Sequence, residues 1–185
     1  FAISSEETRY YLNGIYIHAT ESNGDPVLRA VATDGHRLAR VELPLPEGAG
    51  QMPSVIVPRK AVVEIRKLIE DTESDVSISL SESKLCFTIG DTVLTTKLID
   101  GTFPDYERVI PTGNDKLMNV NCRELAEVVD RVATISTEKS RSVKLQLKTR
   151  TLVLSANSPE SGTAREELEV QYESEDLEIG FNSRY

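Results

Sequence analysis

One segment decides how the first part of this chain folds: Val31-Ala32-Thr33-Asp34-Gly35-His36-Arg37-Leu38-Ala39-Arg40. Its Asp34-Gly35 pair favours a two-residue type I′ hairpin turn, because both central residues of that turn need a positive φ angle. Residues 27–33 and 36–43 then pair as two strands, so that His36 and Arg37 directly follow a rigid turn. Most Asp-Gly hairpins only reverse the chain, and the turn alone therefore does not establish a binding role.

Further strands and one helix are predicted around this hairpin. Aromatic and β-branched residues predict a strand over residues 9–18, and Asn23-Gly24-Asp25-Pro26 predicts a turn. Pro58 lies at the start of a helix predicted to residue 69, because proline lacks an N–H that the first helical turn leaves unpaired anyway. Short apolar or alternating runs predict further strands at residues 55–57, 76–80, 85–89 and 93–99.

The same order of elements recurs after residues 100–116, a segment with Gly and Pro that is the best candidate for a domain linker. Asn121 is a suitable N-cap for a helix that runs to about residue 134. Strands are predicted at residues 117–120, 143–148, 152–156 and 167–172. Because each helix is amphipathic and the strands alternate, we expect an α+β fold of repeated strand–helix–three-strand units, with the helices on one face of the sheets.

The charge of the chain is unevenly distributed along the sequence. The net charge is −9, which is unusual for a DNA-binding protein. Residues 139–150 carry bases and no acid, whereas residues 160–178 carry many acids and the single base Arg165. This asymmetry allows one basic and one acidic surface. Ordinary solvated charge on strands and loops is an equally good interpretation.

One face of the first predicted helix is basic. Lys60 and Lys67 point away from its apolar face, and they are flanked by Arg59 and Arg66 against the lone Glu64. A polar helix face is usually just solvated, but the excess of bases makes this one a candidate surface for an anionic partner.

Cysteine and histidine are too few and too scattered for a metal site. Cys86 and Cys122 form no metal-binding spacing, and His18 and His36 are the only histidines. We therefore predict reduced, buried thiols, no metal and no cofactor. No stretch is long and apolar enough to span a bilayer, and the chain starts without a basic leader, so we expect a cytoplasmic protein.

Several segments, in one order along the chain, resemble the bacterial DNA polymerase III beta subunit, the sliding-clamp family. The first is Ala32-Thr33-Asp34-Gly35-His36-Arg37-Leu38-Ala39 within the hairpin. The others are Arg9-Tyr10-Tyr11-Leu12-Asn13-Gly14, Val55-Ile56-Val57-Pro58-Arg59-Lys60, Phe103-Pro104-Asp105-Tyr106 with Arg108-Val109-Ile110-Pro111, and Glu178-Ile179-Gly180-Phe181-Asn182.

The resemblance implies the DNA-clamp fold for this chain. Residues 1–104 would be the middle clamp domain without its first strand and helix. Residues 105–185 would be the first half of the third domain, beginning with the interdomain linker. A full-length homodimeric ring would encircle duplex DNA without sequence specificity and act as a processivity factor. It would tether the alpha subunit of the replicative polymerase, the clamp loader and other partners, with no catalytic activity of its own.

The resemblance also implies two sets of site residues. The peptide-binding cleft would comprise Leu12, Thr33, Gly35, His36, Arg37, Leu38, Pro104, Arg108 and Val109, with Asn182 and Tyr185 at its rim. The DNA-facing residues, inferred from the resemblance together with the basic helix face, would be Tyr10, Tyr11, Arg59, Lys60, Arg66, Lys67, Lys139 and Arg141.

Two other functions remain open from the residues alone. A stand-alone peptide-binding module would use the same cleft without DNA. A hydrolase would use His36 as base with Asp34 as its orienting carboxylate. A carboxylate two residues away across a tight turn is poorly placed for that role, and no nucleophile motif accompanies the pair.

Overall fold

The computed structural model describes residues 1–70, 72–73, 75–136 and 141–185. The chain divides into two compact units, Phe1–Val109 and Ile110–Tyr185. Both units combine antiparallel sheets with one α-helix, which confirms the predicted α+β class. No helix in the described ranges has the length and apolar character needed to cross a membrane.

The first unit contains two antiparallel sheets and the helix α1. The first sheet has the strand order β3-β2-β1-β4, and the second has the order β5-β6-β7. The strands of the first sheet are β1 Gly14–Ser22, β2 Asp25–Thr33, β3 Leu38–Pro44 and β4 Val55–Pro58. The remaining elements are α1 Arg59–Ile69, β5 Val76–Leu80, β6 Lys84–Ile89 and β7 Thr92–Lys97.

The core of the first unit lies under α1. Ala61 from the helix packs with Val55 and Val57 of β4 and with Leu85 and Phe87 of β6. The helix therefore buries one face against strands of both sheets. Its opposite face remains in solvent, as the amphipathic pattern predicted.

The second unit has one sheet and the helix α2. The elements are α2 Cys122–Ala133, β8 Ser142–Lys148, β9 Thr151–Ser158, β10 Gly162–Glu169 and β11 Leu177–Asn182, in the sheet order β10-β9-β8-β11. The Asn121 side chain accepts hydrogen bonds from the N–H groups of Arg123 and Glu124, as an N-cap should. Val128 and Val132 of α2 pack on Leu152 and Leu154 of β9.

Three sequence-based boundaries were wrong, and each has a tertiary cause. Residues 10–12 form a 3₁₀ turn, and β1 begins only at Gly14, because Leu12 turns into the core and is 3% exposed. A Cβ at Gly14 would lie 2.3 Å from the Val57 carbonyl oxygen, so a close approach to β4 requires glycine here.

The predicted strand over residues 117–120 is a single bridge between Asn119 and Gln171. The side chain of Leu117 is 74% exposed and therefore does not pack into the core of the second unit. The last predicted strand, residues 167–172, was wrong at both ends: β10 spans Gly162–Glu169, because it pairs with β9 from Gly162 opposite Ser158 to Glu169 opposite Thr151.

The turn between β2 and β3 also differs from the prediction. Thr33 pairs with Leu38, so the loop has four residues, and only Gly35 within it has a positive φ, of 89°. The two-residue turn with positive φ at both positions is Asn23-Gly24, with 53° and 90°. His36 and Arg37 therefore lie inside the loop rather than after it.

The predicted burial of both cysteines was also wrong, because Cys122 at the start of α2 is exposed and Cys86 is half-buried.

Candidate functional site

The β2–β3 loop, residues 34–37, is held by its own side chains. The Asp34 carboxylate accepts the N–H groups of His36 and Arg37 at 2.9 and 3.0 Å, and its second oxygen lies 3.2 Å from Arg37 Nε. Thr33 Oγ1 accepts the Gly35 N–H at 3.1 Å and donates to the Arg37 carbonyl at 2.8 Å. These hydrogen bonds pair polar groups of the loop backbone and fix its conformation. They thereby fix the positions from which the loop side chains project.

The charged groups of this loop stabilise its conformation. Burial raises the pKa of Asp34, but the backbone N–H groups and Arg37 outweigh that effect and hold the pKa below its ordinary value. Arg9 donates to the Asp34 carbonyl at 3.2 Å, and a Cβ at Gly35 would lie 2.7 Å from Arg9 Nη1. The carboxylate of Asp34 thus binds the backbone N–H groups of His36 and Arg37 and the side chain of Arg37.

The predicted cleft residues of the first unit fall on three segments. Thr33, Gly35, His36, Arg37 and Leu38 belong to the β2–β3 connection, Leu12 ends the 3₁₀ turn, and Pro104, Arg108 and Val109 follow β7. The N-terminal residues join the first two segments, since Ser4 N–H donates to the Leu12 carbonyl at 3.0 Å and the Arg37 guanidinium lies 5.7 Å from the Phe1 ring centroid.

These residues differ in what they offer to a ligand. Leu12 and Thr33 are buried, whereas Leu38 is half-buried and Gly35, His36, Pro104 and Arg108 are exposed. Val109 is 69% exposed. The apolar surface available to a peptide therefore comprises Leu38, Pro104 and Val109, and Leu12 supports the site from the core.

The two predicted rim residues lie in the second unit. Asn182 ends β11, and its side-chain oxygen accepts the Arg184 N–H at 3.0 Å. Tyr185 is 55% exposed, and its N–H donates to the Asn182 carbonyl at 3.1 Å. Their role beside the cleft remains a prediction.

The basic face of α1 is exposed, as predicted. Arg59, Lys60, Arg66 and Lys67 all lie on the solvent side, and Lys67 is 3.2 Å from Glu64. The Arg59 N–H donates to the Asn13 carbonyl at 3.0 Å, which connects the start of α1 to the 3₁₀ turn that carries Tyr10 and Tyr11.

The two tyrosines lie on this 3₁₀ turn rather than in the predicted strand. Tyr10 is 53% exposed and Tyr11 is half-buried, with ring centroids 5.8 Å apart. Arg141 is half-buried, and its Nε is buried without a hydrogen-bond partner in the part of the chain that the structure describes. Lys139 lies outside the described residues.

Ion pairs connect the basic and acidic segments of the second unit. Lys144 is 2.9 Å from Glu178, and Arg150 is 3.3 Å from Glu169. The adjacency of β8 to β11 brings the first pair together. This pairing favours ordinary surface charge over two segregated surfaces for these residues.

A polar cluster that the sequence did not predict surrounds the buried side chains of Arg29 and Tyr106 in the first unit. Its members are His18, Arg29, Glu42, Tyr106 and Glu107. Arg29 lies between Val27 and Val31 on one face of β2, and an arginine between two inward-facing valines is the signal that could have identified it.

Two open grooves lie elsewhere in the units. One, of about 940 Å³ in the first unit, is lined by residues that include Tyr16, Ile56, Leu98 and Phe103. The other, of about 700 Å³, lies at the N-terminal end of α2. Both are lined by residues other than those predicted for the peptide cleft.

Comparison with known proteins covers the whole chain. The family model of the DNA polymerase III beta subunit central domain matches residues 1–105, and that of its C-terminal domain matches residues 107–185. Over all 185 residues the chain is 54% identical to the beta sliding clamp of Caulobacter vibrioides and 39% identical to that of Escherichia coli, covering 50% and 49% of those proteins.

Solved structures agree with these matches. A DnaN sliding clamp from Bartonella birtlesii bound to griselimycin has a TM-score of 0.95 and 55% identity, over 100% of this chain and 50% of that one. A DNA polymerase sliding clamp from Pseudomonas aeruginosa with ligand has a TM-score of 0.90 and 42% identity, with the same coverage. The chain therefore spans about half the length of the relatives it matches.

Proposed function

The chain belongs to the DNA polymerase III beta subunit family, and from that premise we propose that its full gene product is a sliding clamp. This non-catalytic, homodimeric ring would encircle duplex DNA in the cytoplasm and tether the replicative polymerase as a processivity factor. The observation that carries the proposal is the exposed basic face of α1, with Arg59, Lys60, Arg66 and Lys67 opposite the buried face.

The physics of such a surface suits sliding better than fixed binding. Lysine and arginine side chains that meet phosphates at a distance give a weak attraction that depends on salt and not on base sequence. The net charge of −9 opposes stable binding by attraction alone. Stable retention would therefore depend on closure around the duplex.

Retention on circular DNA tests the proposal. The full gene product, loaded on nicked circular DNA, should survive a rise in salt that removes simple electrostatic binders, whose affinity falls steeply with salt. A single cut that linearises the circle should release it, because the ring slides off the ends. Equal retention on circular and linear DNA would contradict encirclement and leave a surface binder.

We also propose that the β2–β3 loop and residues 104–109 form a cleft for short partner peptides. Leu38, Pro104 and Val109 would supply apolar contacts, while His36, Arg37 and Arg108 would donate to peptide carbonyls and a glutamine side chain. Asn182 and Tyr185 would form the rim. The griselimycin-bound relative from Bartonella birtlesii supports a ligand site in this family. Partners would be the polymerase alpha subunit, the clamp loader and similar proteins.

The domain division stays part of this proposal. Residues 1–104 would be the middle clamp domain, and residues 105–185 would begin the third. The matches of the two family models to residues 1–105 and 107–185 support a boundary near this position.

A further inference from the structure

A buried arginine fastens residues 103–109, here called the strap, to the first sheet. Arg29 of β2 is 4% exposed. Its Nη1 donates to the Tyr106 hydroxyl at 2.8 Å and to Glu107 Oε1 at 2.6 Å, and its Nε donates to Glu42 Oε1 at 2.8 Å. One side chain thus joins β2, β3 and the strap, and two carboxylates compensate its buried charge.

Aromatic side chains complete this attachment. The Phe103 ring stacks on Tyr16 of β1 with centroids 4.8 Å apart and planes 4° from parallel. The Tyr106 hydroxyl lies 3.0 Å from His18 Nε2. Phe103 and Tyr106 are 8% and 5% exposed, so both ends of the strap's first turn are buried.

Buried and exposed residues alternate along the strap. Pro104 and Arg108 are exposed between and beyond the buried aromatic residues, and Val109 is 69% exposed. A 3₁₀ turn over Tyr106–Val109 has little stability of its own. The position of the displayed side chains therefore depends on what holds Tyr106 and Glu107.

We propose that Arg29 is a positioning residue of the peptide cleft, acting through the Tyr106 hydroxyl and the Glu107 carboxylate. This inference rests on the proposed peptide-binding function. With the strap fixed in advance, a peptide meets Pro104, Arg108 and Val109 already in place. Without Arg29's bonds, the peptide has to order the strap as it binds, and affinity falls.

Calorimetric titration with a synthetic hexapeptide carrying one glutamine and two leucines tests this role in the full gene product. Tyr106→Phe keeps the buried ring and removes the hydroxyl to which Arg29 donates. It should raise the dissociation constant of the hexapeptide about tenfold. Arg29→Lys keeps the charge but loses the planar fork, so it should also weaken binding. Tyr172→Phe, which likewise removes the hydroxyl of a buried tyrosine but in the second unit, where it donates to the Glu175 carbonyl, is the matched control and should bind as the wild type.

Amide hydrogen exchange distinguishes positioning from general stability. In Tyr106→Phe, exchange at the strap should accelerate by about tenfold while β5, β6 and β7 keep wild-type rates. If Tyr106→Phe bound the hexapeptide with wild-type affinity and its strap exchanged at wild-type rates, the positioning role of Arg29 would be overturned. The proposed peptide-binding function would still stand. A wild-type protein without affinity for the hexapeptide would overturn the proposed peptide-binding function, and with it the cleft role of Arg29.

Discussion

At the scale of single residues, Leu12 and Leu38 both belong to the predicted cleft, but Leu12 should contribute mainly to stability and Leu38 mainly to peptide affinity. Leu12 is 3% exposed and Leu38 is half-buried. Leu12→Ala should therefore lower the free energy of unfolding by about 2–5 kcal/mol, because it leaves a cavity. Leu38→Ala should lower peptide affinity with a smaller loss of stability. Urea denaturation and calorimetry measure the two effects, and equal stability losses would contradict the distinction.

His18 gives the first unit a pH dependence of stability. Burial lowers the pKa of His18, and the neighbouring positive charge of Arg29 lowers it further, against a backbone hydrogen bond that raises it. Above the ordinary histidine value of about 6.5, the ring is neutral in both states and stability is unaffected. Below that value the unfolded chain binds the proton more readily, so the free energy of unfolding decreases until the folded-state pKa is passed.

His18→Gln should remove this contribution. Urea denaturation between about pH 7.5 and pH 5, around the histidine value, should show a shallower loss of stability in the variant than in the wild type. The pKa values of Asp34 and Glu42 are lowered, so these carboxyl groups titrate at more acidic pH. They therefore do not contribute to the change in stability between about pH 7.5 and pH 5. Parallel curves for wild type and variant would contradict the assignment.

At the scale of elements, α1 carries the surface proposed to face DNA. Lys60→Glu together with Lys67→Glu should weaken low-salt binding to duplex DNA and reduce the slope of log affinity against log salt by about two. Peptide affinity should stay unchanged, because the cleft lies on other segments. Fluorescence anisotropy with labelled duplex at several salt concentrations measures both the affinity and the slope.

Lys84→Glu with Lys97→Glu is the matched control for this experiment. These exposed lysines face each other on β6 and β7, and their reversal gives the same change in net charge. If the control variant lost as much DNA affinity as the α1 variant, overall charge and not the helix face would be responsible.

At the scale of the whole molecule, the proposed clamp function separates two contributions to DNA retention, ring closure and local positive charge. The second unit pairs many of its bases with its own acids, as in Arg131–Glu166 at 2.8 Å. In the first unit, α1 carries four exposed bases on one face, and attraction of this face to DNA should be weak and salt-labile. The 185-residue chain, tested beside the full gene product on the same nicked circle, separates this attraction from encirclement.

The sequence by itself determined the class of this fold and its family. Local signals identified both helices, the Asn121 cap and most of the strands, because periodicity and capping depend on neighbours in the chain. Motifs in one order indicated the family that comparison then established. The exposed basic face of α1 followed from the helical wheel alone.

Only the tertiary structure decided what joins distant segments. The turn at Leu12 replaced a predicted strand because burial of that side chain outweighs local β propensity. The loop at Asp34 lengthened because its side chain bonds the backbone where a two-residue turn was expected. Arg29 and Tyr106 are 77 residues apart, and no local pattern encodes a contact across that distance. Long-range contacts depend on the packed sheet, which is why the strap's attachment was visible only in the folded chain.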